Sequence, residues 1–287
     1  MAKILDGRIV QAEIKQKLER ICRNLKCSPH LAIIQVGARP ESNLYIERKK
    51  KFGEELGVKV THVQYSETIT ERKLISEITN FNNNPRVHGI IVQIPLPKKL
   101  MVTRILNAVT AAKDVDGLSA VNLQSAWQNQ TGGFRPATAR GVLTLLNYYE
   151  IPLAGREVVV IGRSALVGKP IALACLNAGA TVTICHRGTR NLNTVTRRAD
   201  ILIVAAGSPG LITQKSVRAG QVIIDVGINV LPMGKLSAKI GQRKVVGDVV
   251  FEKVAPIVKA ISPVPGGVGP LTIASLFENL FAAARLL

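Results

Sequence analysis

Val158-Val159-Val160-Ile161-Gly162-Arg163-Ser164-Ala165-Leu166-Val167-Gly168-Lys169-Pro170 decides the reading of this chain. Four consecutive aliphatic residues make a buried strand. Gly162 permits a tight turn, and Gly168 with Pro170 opens a helix that packs closely on the strand. The segment stands where a G-x-G-x-x-G fingerprint would stand, with Ser164 in place of the middle glycine. The helix N-terminus still offers free amides and a dipole to a pyrophosphate. A degenerate glycine motif alone is weak; the strand before it and the helix after it supply the context it needs.

Working outward, short β-branched runs alternate with amphipathic segments. Strands are expected at Leu31–Val36, Lys59–Tyr65, Gly89–Ile94, Val158–Gly162, Thr181–His186, Ile201–Ala206 and Val222–Val226. Helices are expected at Gly7–Leu25, Ser42–Leu56, Glu71–Asn82, Ala139–Glu150, Gly168–Ala178, Leu192–Ala199 and Leu271–Leu286. Such alternation builds parallel sheets with right-handed crossovers. The 287 residues suffice for two domains. The expected fold is therefore α/β in two domains: an N-terminal α/β catalytic domain over residues 1–140 plus 265–287, and a Rossmann-like doubly wound NADP-binding domain over 141–264. In this reading the C-terminal helix returns to the first domain.

Bulk composition narrows the function. Aromatic residues are only 4% of the chain while hydrophobic residues are 47%, so the apolar content is Val, Ile, Leu and Ala, the material of buried parallel strands. Cys22, Cys27, Cys175 and Cys185 form no CxxC, and His30, His62, His88 and His186 are scattered. No zinc pattern, metal site or disulfide framework is expected, and a reducing, cytoplasmic setting is. The N-terminus lacks a signal-peptide h-region, and no run approaches the ~18 apolar residues of a membrane span. The net charge of +19 attracts polyanions. The basic residues are dispersed, however, with no basic tail and few aromatics for stacking bases, so nucleic acid is not the expected partner.

Several polar residues stand where chemistry is expected. NAD-specific sites carry an acid about 20 residues beyond the glycine turn; here the next strand ends in His186-Arg187-Gly188-Thr189-Arg190. Arginine favours a 2′-phosphate, so NADP is expected over NAD; solvated surface arginines are the alternative. In Ile224-Asp225-Val226-Gly227-Ile228-Asn229 the Ile228 backbone is a candidate cofactor contact, and Asp225 is expected to tie down loop amides. Tyr45 and Lys49 share a face of a helix for which Ser42 is the candidate N-cap. A ring there stacks on a flat substrate, and an amine whose pKa is lowered by burial and by Arg48, Lys50 and Lys51 handles protons. A solvated basic helix face is the alternative. Gln93 is the polar residue near the end of an aliphatic strand, where ligands of open sheets bind; it either meets substrate, orients Lys49, or satisfies local backbone. In the turn Lys113-Asp114-Val115-Asp116-Gly117 one carboxylate is suited to hold an amino-heterocycle, or the aspartates are ordinary turn formers. Ser262-Pro263-Val264-Pro265-Gly266-Gly267-Val268-Gly269-Pro270 is stiff at both ends and bare in the middle, a suitable wall for a cleft.

Together these segments closely resemble the bifunctional methylenetetrahydrofolate dehydrogenase/methenyltetrahydrofolate cyclohydrolase family. The resemblance spans essentially the whole chain and adds Ile4-Leu5-Asp6-Gly7, Arg135-Pro136-Ala137-Thr138 and Gly247-Asp248-Val249 to the motifs above. It implies NADP-dependent oxidation of 5,10-methylenetetrahydrofolate, then hydrolysis to 10-formyltetrahydrofolate. It implies Lys49, Tyr45, Gln93 and Asp116 as catalytic residues that also bind substrate, and Pro265, Gly266, Gly267, Val268 and Gly269 as further substrate contacts. Gly162, Arg163, Ser164, Arg187 and Ile228 would hold NADP. Many members carry Ser where this chain has Arg187. The expected partners are tetrahydrofolate derivatives, with or without polyglutamate tails, and a second copy of the chain in a homodimer; no membrane is implied. A monofunctional NAD(P)-dependent dehydrogenase on the same fold is the alternative, and the Tyr45/Lys49/Gln93/Asp116 set argues against it.

Overall fold

A computed structural model describes residues 2–25, 28–232 and 243–286; Cys27 lies outside the described residues. In chain order the elements are β1 (Lys3–Ile4), α1 (Gly7–Arg23), β2 (His30–Val36), α2 (Pro40–Glu55), β3 (Lys59–Tyr65), α3 (Glu71–Asn83), β4 (Gly89–Val92), α4 (Val102–Asn107), α5 (Ala120–Trp127), α6 (Ala137–Tyr148), β5 (Glu157–Ile161), α7 (Gly168–Asn177), β6 (Thr181–Cys185), α8 (Leu192–Arg198), β7 (Ile201–Val204), β8 (Val222–Asp225), β9 (Asn229–Pro232), β10 (Arg243–Val246), α9 (Phe251–Val254), β11 (Ala260–Ile261) and α10 (Val268–Leu286). All seven expected strands and all seven expected helices form, with ends shifted by a few residues. The elements not foreseen are short, and β1, β9, β10 and β11 owe their existence to pairing with distant or neighbouring strands.

The chain divides into two compact units. One comprises Ala12–Ala137 with Ile273–Leu287. Its parallel sheet has the order β3-β2-β4, and β2, buried along its whole length, forms its centre. The C-terminal part of α10 packs on this unit's helices: Phe277 meets Phe52 with ring centroids 5.1 Å apart. The other comprises Met1–Gln11 with Thr138–Thr272 and holds the six-stranded sheet β1-β11-β8-β7-β5-β6, parallel throughout. The boundaries expected from sequence differ from this division in assigning residues 1–11, 138–140 and 265–272 to the first domain. Pairing of β1 with β11 keeps the first and last of these segments together with the larger sheet.

Register explains where that sheet presents polar groups. Val159, Leu202, Ile223 and Ile261 are successive partners across four strands, and all four are buried in one cluster. Two residues further along, the same face carries Cys185, Ile161, Val204 and Asp225 as partners. Asp225 thus occupies the last rung of an apolar face. The chain leaves β5 for β6 on one side and then crosses to β7 on the other, which makes the β5/β7 junction the topological switch point where open α/β sheets bind ligands.

Candidate active site and cofactor crevice

Helix α2 starts at Pro40, with Arg39 rather than Ser42 as its N-cap. Proline at the first turn has its φ set for a helix and lacks one of the amides that a helix start leaves unpaired; no side chain caps this end, and Ser42, inside the first turn, is buried. Tyr45 and Lys49, four residues and about one turn apart on this helix, share one face. Lys49 is only 7% exposed, and its Nζ donates to Gln93 Oε1 at 2.9 Å. Gln93 follows the last residue of β4, anchored by its amide to the Ile34 carbonyl. Its Nε2 donates to the Ile94 carbonyl at 2.8 Å. A carbonyl accepts only, so the amide group has one workable orientation and must present oxygen to the lysine.

The third member comes from the acidic turn, which a bridge between Ile90 and Asp114 ties to the edge of β4. Its two aspartates differ sharply. Asp114 is buried and accepts from the Gly117 amide, the Ser119 amide and Asn122 Nδ2 at 3.1, 2.7 and 2.9 Å. The side chain of Asp116 has no hydrogen bond among the described residues and interacts electrostatically with Lys49. Lys113 donates to the carbonyls of Asn82 and Asn84, and Asn279 of α10 donates to the carbonyls of Val115 and Arg135 at 3.0 and 3.1 Å. The turn is therefore fixed on every side and only Asp116 is left open.

Burial lowers the Lys49 pKa, with Asp116 opposing. Burial raises that of Asp116, opposed by Lys49 and reinforced by Asp114. The neighbouring cations expected to depress Lys49 do not contribute; burial does. Tyr45 is half-buried, and burial pushes its phenol up with Arg48 opposing. The cation nearest its ring is Arg48, whose guanidinium carbon lies 5.7 Å from the centroid.

In the larger unit, Gly162 has φ +126° and a Cβ there would collide with the Ala205 carbonyl. Only glycine brings the exits of β5 and β7 this close. The Ser164 hydroxyl accepts from the amides of Val167 and Gly168 at 3.2 and 3.3 Å, which orders the turn while Arg163 and Ser164 stay exposed. Gly162 also donates to the Cys185 carbonyl at 2.9 Å, so the end of β6 and the exposed Arg187 just beyond it belong to the same edge. Ile228, beyond β8, is 39% exposed. A bare turn at a helix start, with a cation rather than an acid after the second strand, fits a phosphorylated dinucleotide. Pro265–Gly269 belong to this unit as well. There the Gly266 carbonyl accepts from the Gly7 amide at 2.8 Å, and Gly7 abuts Gly267 too closely for any side chain.

A doubly wound dinucleotide unit joined to a smaller α/β unit bearing a buried lysine defines an NAD(P)-linked enzyme of the two-domain dehydrogenase class. The chain belongs to the tetrahydrofolate dehydrogenase/cyclohydrolase family, matching its catalytic domain over residues 5–116 and its NAD(P)-binding domain over 136–286. It is 44% identical over 288 residues to the bifunctional protein FolD of Wolinella succinogenes, covering 99% of this chain and 97% of that one. The crystal structure of the bifunctional enzyme FolD from Campylobacter jejuni, 42% identical, superposes with a TM-score of 0.94 over 100% of this chain and 99% of that one. The Trypanosoma brucei methylenetetrahydrofolate dehydrogenase-cyclohydrolase, solved with NADP cofactor and inhibitor, is 31% identical with a TM-score of 0.93, covering 99% of this chain and 98% of that one. None of the described helices is long and apolar enough to cross a membrane.

Proposed function

We propose that this chain oxidises 5,10-methylenetetrahydrofolate to 5,10-methenyltetrahydrofolate with NADP, and hydrolyses the product to 10-formyltetrahydrofolate. The observation that carries the reading is the buried Lys49 amine, held on the Gln93 carboxamide oxygen and facing the open carboxylate of Asp116. Bound NADP⁺ supplies the hydride acceptor, and Gly162, Arg163, Ser164, Arg187 and Ile228 are the residues assigned to hold it. Asp116 accepts hydrogen bonds from the amino-pyrimidine edge of the pterin, for which its lone pairs are free. Tyr45 offers its ring as a stacking face, and Pro265–Gly269 are assigned to substrate contact.

In the hydrolytic step water attacks the carbon bridging the two folate nitrogens. A neutral Lys49 can donate one N–H to Gln93 and still turn its lone pair to that water, taking the proton as the C–O bond forms. Opening of the ring then breaks one C–N bond: Lys49 returns the proton to the departing nitrogen, and the hydroxyl loses its remaining proton to solvent as it becomes the formyl carbonyl. Burial serves this role because it lowers the pKa of the amine and so favours its neutral form.

The test starts from methylenetetrahydrofolate and follows NADPH together with the methenyl chromophore. The proposal expects NADPH to form while the chromophore rises and then decays to formyltetrahydrofolate. A chromophore that accumulates without decay beyond the uncatalysed rate leaves only the monofunctional dehydrogenase. The net charge of +19 suits polyglutamate tails, and salt should weaken a polyglutamylated substrate more than the monoglutamate, as KM at two ionic strengths will report. A homodimer and a cytoplasmic setting complete the proposal.

A further inference from the structure

Gly247-Asp248-Val249 has no part in the chemistry of Lys49, yet its aspartate is fully buried and makes no ion pair among the described residues. Its carboxylate accepts four hydrogen bonds. Oδ2 takes the amides of Ala206 and Gly207 at 2.7 and 2.9 Å; Oδ1 takes the Ser208 amide at 2.7 Å and Asn229 Nδ2 at 2.9 Å. Asp225 complements it by accepting from the amides of Gly227, Asp248 and Val249 at 2.9, 3.1 and 3.0 Å. The two aspartates interlock with two glycines: a side chain at Gly227 would strike the Asp248 carboxylate, and one at Gly247 would strike that of Asp225.

We infer that Asp248, acting with Asn229, is a positioning residue for the dinucleotide. It fixes the two backbone segments that wall the crevice beyond β7 and β8. The first is the exit of β7, where the Ala205 carbonyl abuts Gly162 and the next three amides are all held by Asp248. The second is the stretch around Ile228, whose neighbours on either side are pinned, Gly227 by Asp225 and Asn229 by Asp248. Loops after strands ordinarily move; here both are set before a ligand arrives, and such preorganisation lowers the cost of binding. The inference rests on the cofactor reading above.

Two variants test it. Asp248→Asn places an N–H donor where amide donors converge, and Asn229→Ala removes the Nδ2 bonds to Asp248 and to the Val246 carbonyl while leaving the carboxylate on its three amides. NADP⁺ affinity is read by fluorescence titration, and the second activity by hydrolysis of preformed methenyltetrahydrofolate without NADP. The inference expects Kd for NADP⁺ to rise about tenfold or more in Asp248→Asn and about threefold in Asn229→Ala, with hydrolysis by Asn229→Ala within about twofold of wild type. If Asp248→Asn does not fold, Asn229→Ala decides alone. An unchanged Kd in folded Asn229→Ala overturns the inference, as does a parallel fall of both activities. A wild-type protein that binds no NADP(H) overturns the cofactor reading itself, an outcome distinct from wild type and variants binding alike.

Discussion

Asp116 and Asp225 are both held out of bulk water near the carboxyl ends of parallel strands, one in each unit, and they are used in opposite ways. Asp225 receives three backbone amides. The side chain of Asp116 receives no hydrogen bond among the described residues and faces a buried amine. A carboxylate saturated by main-chain donors is a scaffold, because its lone pairs are spent and moving it would orphan buried N–H groups. A carboxylate with open lone pairs beside a lysine is free to accept further donors. Burial alone does not distinguish the two; the identity of the donors does.

The most severe test of this contrast is Lys49. Lys49→Ala should lose hydrolysis at least as severely as hydride transfer, by about 10²–10⁴-fold for a general acid/base. Full retention of hydrolysis in Lys49→Ala removes Lys49 from its role. Lys49→Met should be equally inactive but more stable than wild type, since it replaces a buried amine by an apolar chain of similar length. The pH dependence of that gain has a definite sign. The native pKa of Lys49 lies below its unfolded value, so the unfolded chain binds the extra proton and wild-type stability rises with pH through that window. The advantage of Lys49→Met in thermal melting should be greatest in acid and shrink as pH rises. An advantage that grows with pH would mean the amine is stabilised in its charged form.

The contrast also marks what could be read from the chain. Lys49 and Gln93 were legible because each is a polar residue in a setting that makes polarity informative, one on a helix face beside Tyr45, the other ending an aliphatic run. Gly162 was legible because strand, turn and helix follow one another locally. Which aspartate of Asp114-Val115-Asp116 is open was not, since Asp114 is closed by Asn122 and the turn is clamped by Asn279, a residue whose only sign is polarity within an apolar C-terminal helix. The role of Asp248 was equally hidden: its partners at 206–208 and 229 come from the loop after β7 and the start of β9, which only the completed fold brings together. The tie-down role expected of Asp225 does hold, because a lone acid at the end of an aliphatic strand has few other uses.

The two aspartates of the acidic turn sharpen the comparison inside one motif. Asp116→Asn should raise KM for the folate by about 10–100-fold, the cost of replacing a charge-assisted acceptor, with little change in melting temperature. It also removes the charge that props up Lys49, so the acidic limb of the hydrolysis profile should move to lower pH. Asp114→Asn should do the reverse, costing about 1–3 kcal/mol of stability by leaving buried donors unpaired, and reaching KM only through the turn. Equal losses of stability in the two variants would erase the distinction.

Asp225 gives the smallest effect and the most specific one. Burial, joined by the Asp248 charge and opposed by the amides of Asp248, Val249 and Gly227, pushes its carboxyl up to about 7 from an ordinary 3.8. The native state therefore holds this proton more tightly than the unfolded chain does. Stability from this group is greatest in acid and is lost as pH rises through that interval. Asp225→Asn cannot titrate, so although the variant melts lower throughout, its melting temperature should fall less than that of wild type between about pH 5 and pH 8. Parallel pH profiles in the two proteins would show that the amides outweigh burial and keep Asp225 ionised across the range. The carboxylate would then be held in its charged form by its main-chain donors, and the last rung of the sheet would carry a charge rather than a proton.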